Sequence, residues 1–234
     1  MNITPYLKDF LSREDIKDLL NNNDFTKLYV ACAYSDRPYL TTILKEAGIN
    51  PLPYLKYIPD NFMTYNSDIK IIKIRSQCDH IGEEAFGGCH NLTKVLFEDG
   101  DNLSTIERSA FYGTPIKFID LPYSLEVIGE FAFSHCDLSA LNIMTSKPLA
   151  IGSRAFSHNT NLTKVHLPQL KVLGVNVFKD CPVESIIFED SESQVWKAIE
   201  AFGLDIQLLE DQTFEEFLID YLGLKTNPAI SFRG

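Results

Sequence analysis

One short phrase occurs five times in the middle of the chain. The copies start at Ile81, Ile106, Ile128, Ile151 and Leu173 and end at Phe86, Phe111, Phe133, Phe156 and Phe178. The five phenylalanines are 25, 22, 23 and 22 residues apart, and alanine precedes the first four. A unit of about 23 residues cannot bury its apolar side chains alone, so successive units must stack on one another. The repeat therefore predicts a solenoid, and the Ile-Gly pair that opens most copies predicts a tight corner.

A second apolar motif follows each phrase, with the spacing of a short strand whose alternate side chains point into a core. Its members are Leu92, Val95, Phe97; Ile116, Ile119, Leu121; Leu138, Leu141, Ile143; Leu162, Val165, Leu167; and Val183, Ile186, Phe188. A weaker copy precedes them, with Phe62 followed by Ile69, Ile72 and Ile74. Together the copies predict about six coils.

The two motifs together resemble the BspA-type leucine-rich repeats, whose consensus runs I-G-x-x-A-F-x-x-C-x-x-L-x-x-I-x-L-P. The consensus cysteine is present as Cys89, Cys136 and Cys181, and Thr114 and Asn159 take its place in the other two coils. The resemblance covers residues 57–190. It implies an α+β fold, a leucine-rich-repeat solenoid of about six coils of ~23 residues.

Residues 1–56 are helical in character and predict an N-terminal cap of three helices. The first has Ser12 as its N-cap, the second begins at Asp24, and the third runs from about Pro38 to Ala47. The segment from Leu44 to Phe62 resembles the helical leader of small repeat proteins found in bacteriophage genomes. This resemblance suggests a phage or prophage origin.

Residues 191–234 predict an acidic C-terminal cap. The segment from Ser191 to Ile199 resembles the sequence that closes such arrays, so Trp196, Ile199 and Phe202 are expected to cover the last coil. A terminal amphipathic helix from Thr213 to Leu222 follows. Either it packs over the cap or it docks a partner.

The net charge of −11 is concentrated near the C-terminus. Residues 183–220 contain eleven acidic side chains and one basic side chain, Lys197. This sign disfavours direct binding of nucleic acid and attracts a basic partner. The acids are either a solvated surface or an imitation of nucleic-acid charge. The candidate residues for the second interpretation are Glu189, Asp190, Glu192, Glu210, Asp211, Glu215 and Glu216.

The start of the chain does not resemble a secretory signal, and its five cysteines are an odd number spread over a mid-sized chain. No apolar run reaches the length of about 18 residues that a membrane span needs. We therefore expect a cytoplasmic protein, in the host cytoplasm if a phage encodes it, and no membrane partner.

Two groups of residues resemble reactive sites in their residue types. Cys78, His80, Cys89 and His90 are ligand types that zinc uses, but their spacing does not match a known finger. Cys136 with His135 or His158 has the composition of a nucleophilic pair, without a sequence marker for an oxyanion site. We expect no enzymatic activity, no cofactor and no metal site.

Residues between the buried strand positions should point outward onto an open sheet face. Five of them, Ile71, Leu96, Phe118, Met144 and Ile187, form a predicted apolar strip. The full set of candidate partner-binding residues is Ile71, Lys73, Lys94, Leu96, Phe118, Asp120, Asn142, Met144, Lys164, His166 and Ile187. The chain's own terminal helices or a second copy of the chain are alternative occupants of this face.

The favoured function is non-catalytic binding of one protein partner, because the repeats supply a rigid scaffold and no reactive group. A cytosolic phage or bacterial factor that modulates a host protein, such as a defence component, is the specific version. The first alternative is a structural or adhesive component of a cell surface or virion. The second is an acidic nucleic-acid mimic that binds a basic protein.

Overall fold

The computed structural model describes residues 5–33, 36–100, 102–204 and 212–234. Helices come first in the chain. They are α1 (Pro5–Ser12), α2 (Glu14–Asn21), α3 (Phe25–Ala31) and α4 (Arg37–Glu46), followed by a 3₁₀ turn at Leu52–Tyr54. Within the described ranges, no helix is long and apolar enough to cross a bilayer.

The three predicted N-terminal helices are present as α2, α3 and α4, whereas α1 was not predicted. Asp24 caps α3 by accepting the N–H of Lys27 at 3.2 Å, and α4 is followed by Gly48 in a left-handed conformation (φ 77°). The prediction that Ser12 is the N-cap of the first of them is wrong, because Arg13 takes that position before α2. Ser12 ends α1, which begins at Pro5, and its hydroxyl donates to the carbonyl of Asp9 at 2.7 Å.

The strands are short and all their pairings are parallel. They are β1 (Ile71–Ile74), β2 (His80–Ile81), β3 (Lys94–Phe97), β4 (Thr105–Ile106), β5 (Val127–Ile128), β6 (Ala140–Asn142), β7 (Leu149–Ile151), β8 (Lys164–Leu167), β9 (Leu170–Leu173), β10 (Ser185–Phe188) and β11 (Ala229–Phe232). One sheet pairs β1 with β3, a second has the order β11-β10-β8-β6, and a third has the order β2-β4-β5-β7-β9. This confirms the predicted solenoid.

The open sheet face is interrupted in the third coil. Residues 116–121 carry the apolar spacing of a strand, and Ile116 and Ile119 are buried as predicted, yet the segment is not a strand. Pro115 and Pro122 flank it and have no N–H to donate, and the Phe86–Phe111 spacing of 25 residues is the longest in the array. The predicted strand is therefore wrong here, and β3 and β6 belong to different sheets.

A column of phenylalanine rings runs through the core. Phe86, Phe111, Phe133, Phe156 and Phe178 are fully buried. Neighbouring ring centroids lie 5.2–5.9 Å apart with planes inclined by 3–18°. Each ring thus stacks on the next coil's ring in an offset arrangement that favours aromatic contact.

The first coil has a different register from the one that its phenylalanine suggests. The N–H of Met63 donates to Ala85 at 2.7 Å, as the N–H of Phe86 donates to Ala110 at 2.8 Å. Met63 therefore occupies the phenylalanine position. The Phe62 ring enters the core from the preceding position and meets Phe86 edge-on, at 6.1 Å and 82°.

The Ile-Gly pair is a point of close approach and not a corner. Gly152 lacks a left-handed φ, but a Cβ there would lie 2.6 Å from the backbone nitrogen of Glu130 in the preceding coil. Left-handed residues stand two positions before and two positions after the phenylalanine. Around Phe133 they are Phe131 (φ 56°) and His135 (φ 58°). Glycine at Gly129, Gly152 and Gly174 lets neighbouring backbones nearly touch. Glu107 takes the equivalent position after Ile106, and its N–H still donates to Ile81 at 2.9 Å.

The C-terminal segment continues the solenoid for one more turn. Helix α5 (Glu192–Glu200) packs on β9, and α6 (Phe214–Leu222) ends at Gly223, with φ 74°. The carbonyl of Leu222 accepts the N–H of Phe178 at 3.0 Å, in the place that alanine takes between earlier coils. Strand β11 then pairs with β10, and Phe232 stacks on Phe188 at 5.4 Å. The apolar face of α6 is thus buried within its own chain.

The close approach at Gly152 is tested by adding one methyl group. We expect Gly152→Ala to lower the free energy of unfolding by about 1–3 kcal/mol, because neighbouring coils must separate to admit the Cβ. Gly87→Ala is the matched control, since its nearest contact would be Ser109 O at 3.3 Å, and it should change stability by less than about 1 kcal/mol. Urea unfolding measures both, and equal losses would contradict this account.

Candidate protein-interaction surface

The strand register arranges the open face in rows that run across the coils. The first row contains Ile71, Lys94, Ala140, Lys164 and Ser185, which are Cα partners in the ladders on either side of the interruption. Phe118 has the same place in its repeat as Lys94 and Ala140 have in theirs, so it lies between them in this row. The second row contains Lys73, Leu96, Asn142, His166 and Ile187, and the offset adds Asp120. Met144 lies beyond the end of β6, in a third row.

The predicted face residues are all accessible to solvent in part. Phe118 is 71% exposed, Ile71 60%, Met144 49% and Leu96 39%, while His166 and Ile187 are half-buried. The apolar members do not form one strip, because the register distributes them over three rows with charged residues between them. The surface is therefore a mosaic of apolar side chains and charges.

Charges on the face pair mostly with one another. Lys73 Nζ and Arg75 Nη1 each lie 2.9 Å from Glu98 Oε1, and the bond from Lys73 is the main cause that lowers the pKa of Glu98. At the other end, His166 and Arg233 both contact Glu189. The bond from His166 is the main cause that lowers the pKa of Glu189. Each acid thus neutralises bases that would otherwise give the face a strong positive sign.

Two lysines of the first row are left outside these pairs. Lys94 and Lys164 are exposed and form no ion pair within the described part of the chain. Lys94 lies between Ile71 and Phe118, and Lys164 lies between Ala140 and Ser185. The first row therefore offers cationic and apolar groups side by side.

The acidic candidates of the C-terminal segment differ in what they do. Glu192 and Glu215 are exposed in the first turns of α5 and α6. Glu216 accepts the N–H of Thr213 at 2.9 Å in a capping box, which lowers the pKa of the Glu216 carboxyl. Glu210 and Asp211 lie outside the described residues.

Asp190 corrects the expectation of a partner-facing acid. It is buried with 3% exposure, and its Oδ2 accepts the N–H of Leu170 at 2.6 Å. Burial raises the pKa of this carboxyl, against the effect of the hydrogen bond. The residue connects the end of β10 to the start of β9 and does not face a partner.

Histidine and cysteine side chains have other partners in this fold. Cys89 Sγ donates to Met63 O at 3.0 Å and Cys136 Sγ to Phe111 O at 3.3 Å, and burial raises the pKa of each thiol to about 12. His135 stacks on His158 at 4.2 Å. In the described ranges, no three His, Cys, Asp or Glu residues group as metal ligands. A thiol with so high a pKa holds its proton at neutral pH and is a weak nucleophile.

Sequence reasoning missed a second surface, at the corner between α4 and the first coil. Tyr65 is 75% exposed and Tyr39 46%, and both line a cleft together with Asn61 and Glu84. The tyrosines lie in different parts of the sequence and share no repeat position. The left-handed backbone of Tyr65 (φ 58°) is visible only in the structure.

The geometry defines a class of protein, a leucine-rich-repeat solenoid with parallel short strands and a helical cap. The family model described as BspA type Leucine rich repeat region matches in six copies, over residues 44–137 and 100–199. The chain belongs to this family. Its proteins are interaction or adhesion-type modules and are typically non-catalytic.

Two solved structures are similar to parts of the chain. One is the crystal structure of the pneumococcal vaccine antigen PcpA, with 34% identity over 51% of this chain and 30% of that chain, at a TM-score of 0.49. The other is a leucine-rich repeat protein from Bacteroides ovatus ATCC 8483, with 28% identity over 56% of this chain and 34% of that chain, also at 0.49. This chain spans about a third of the length of each of these two proteins. A search of curated proteins finds no significant match.

The structural role of Asp190 is tested by two substitutions. Asp190→Ala should lower the free energy of unfolding by about 1–3 kcal/mol, because it leaves the N–H of Leu170 buried without an acceptor. Asp190→Asn keeps an acceptor and should lose less. Because folding raises the pKa of Asp190, the stability of the wild type relative to Asp190→Asn should be highest at low pH. This difference in stability should decline as pH rises through the raised pKa of Asp190.

Thermal unfolding between pH 3 and 8 measures both effects. The control is Glu192→Ala, which removes a nearby exposed acid and should change stability by less than about 0.5 kcal/mol. Equal effects of Asp190→Ala and Glu192→Ala would contradict the structural role.

Proposed function

We propose that the chain is a non-catalytic module that binds one protein partner through the open face of β1, β3, β6, β8 and β10. The observation that carries the proposal is Phe118, a large apolar side chain that is 71% exposed on a rigid scaffold. Large aromatic side chains dominate the energetics of protein interfaces when a partner removes them from water.

The face also indicates the chemistry of its partner. Apolar and cationic groups share one row, in the order Ile71, Lys94, Phe118, Ala140 and Lys164. Parallel strands are roughly 4.8 Å apart, so Lys94 and Lys164 are about 14 Å from one another across three coils. A partner with apolar side chains flanked by carboxylates at this spacing complements the row.

A narrower version of the proposal is a cytosolic factor, phage-encoded or bacterial, that modulates a host protein such as a defence component. The leader's resemblance to phage repeat proteins supports the origin. The thiols of Cys89, Cys136 and Cys181 each donate to a carbonyl, at 3.0, 3.3 and 3.2 Å. These bonds give the three thiols a structural role in the core, and the odd number of cysteines agrees with a cytosolic protein.

The double variant Phe118→Asp, Leu96→Asp tests the face. Tagged wild-type protein captures its partner from a bacterial lysate, and the purified partner is then titrated against both proteins. We expect the double variant to lose binding by about a hundredfold or more, because two charges enter a desolvated interface.

Val30→Asp is the matched control, since Val30 is 60% exposed on α3 and lies outside the face. It should bind as the wild type does, and circular dichroism should show all three proteins folded. Undiminished binding by the double variant would refute the face. A wild-type dimer that the double variant converts to monomer would instead assign the face to self-association.

A further inference from the structure

The cleft at the first corner has the size of a ligand site. It lies between α4 and the first coil and has a volume of about 650 Å³. Tyr39 forms part of one wall and Tyr65 part of another, and Asn61 and Glu84 also line it. Small-molecule sites in proteins typically occupy roughly 300–1,000 Å³.

A second hollow of about 300 Å³ adjoins the first at Tyr65. It shares Thr64, Tyr65 and Glu84 with the first hollow, and Tyr112 and Phe131 contribute its aromatic lining. The Tyr65 ring therefore stands between two adjoining hollows. An elongated ligand placed along them passes the ring and meets aromatic groups on both sides.

Tyr65 is held in place by a glycine in the next coil. A Cβ at Gly88 would lie 2.3 Å from Cδ1 of Tyr65, so only glycine admits the ring at this position. The tyrosine also keeps a left-handed backbone (φ 58°), which is strained for a large side chain. The ring is nevertheless 75% exposed. The fold thus positions a side chain that packing does not require.

The polar groups of the cleft supply both donors and acceptors. Asn61 is buried, and its amide Nδ2 has no hydrogen-bond partner among the described residues. Its Oδ1 accepts the hydroxyl of Thr64 at 3.0 Å. The Glu84 carboxylate forms no hydrogen bond or ion pair with any residue that the structure describes. Hydroxyl groups, which both donate and accept, satisfy an amide and a carboxylate together.

The charges near the cleft largely cancel. Asp68 pairs with Lys45 at 3.0 Å, and Arg108 pairs with Glu83 at 2.8 Å. Arg108 is also shared with Glu130 at 3.7 Å, so Glu84 and one of these acids remain uncompensated. This small negative excess disfavours a polyanion, and because most of the charges are already paired, an uncharged ligand fits the cleft.

We propose that the two hollows bind a neutral oligosaccharide, with neighbouring sugar units on either side of Tyr65. The aromatic rings would pack against the C–H faces of the sugars, and Asn61 and Glu84 would hydrogen-bond their hydroxyls. This site is separate from the open sheet face. It adds a carbohydrate ligand to the protein ligand proposed above.

The test uses the full chain on an array of bacterial and host oligosaccharides, followed by calorimetric titration of the strongest soluble neutral hit. We expect saturable binding that Tyr65→Ala weakens about tenfold or more, and that Asn61→Gly, which keeps the left-handed backbone, also weakens. Tyr123→Ala is the matched control, because Tyr123 is 59% exposed and lines neither hollow. It should bind normally.

The face variant Phe118→Asp, Leu96→Asp should keep oligosaccharide binding, which separates this proposal from the protein-binding one. An array with no neutral hit that binds at about 1 mM would overturn the proposal. Equal binding by Tyr65→Ala and the wild type would also overturn it. Peptides from a random library that bind in a Tyr65-dependent manner, with no oligosaccharide binding, would assign the cleft to a peptide instead.

Discussion

The distance between neighbouring coils is the constraint on which the rest of the structure depends. Stacked rings 5.2–5.9 Å apart set this distance in the core, and glycine at Gly152 and its equivalents allows the backbones to come equally close beside them. A larger ring in the column would separate the coils and weaken the parallel ladders. The glycine position is less strict, because Glu107 occupies one equivalent and keeps its hydrogen bond to Ile81 at 2.9 Å. The rows of the open face follow from the same spacing, because each row contains one residue from each coil.

A column of polar side chains runs beside the phenylalanine column and supplies donors to the buried carbonyls of the phenylalanines. Carbonyls of residues such as Phe133 and Phe156 are buried between coils and need donors. Asn159 donates to Phe133 at 2.9 Å and Cys181 to Phe156 at 3.2 Å. Cysteine and asparagine therefore exchange at this position because both can donate to one carbonyl. The same burial that makes the bond useful raises the pKa of Cys181 to about 12.

Sequence reasoning worked where a residue's role is repeated and failed where it is decided by one local contact. The phenylalanine column, the helices that begin near Asp24 and Thr213 and the exposure of Phe118 all followed from spacing. Met63 in the phenylalanine position did not, because a methionine beside Phe62 gives the weaker pattern. Strand β11 has no consensus motif, since it completes a coil whose first half is a helix. The burial of Asp190 depends on the N–H of Leu170, which is 20 residues away.

The corner positions explain how one array can have two different surfaces. The position two residues after the phenylalanine is left-handed in every coil, and it is occupied by Tyr65, Gly88, Gly113, His135, His158 and Asp180. Its side chain lies outside the core, so its identity does not change the coil spacing. Where it is His135 and His158, the rings stack on each other, and burial and the neighbouring ring lower the pKa of His135. Where it is Gly88, the space admits Tyr65. The corner is therefore free to vary, and a site there can differ from coil to coil while the sheet face keeps its register.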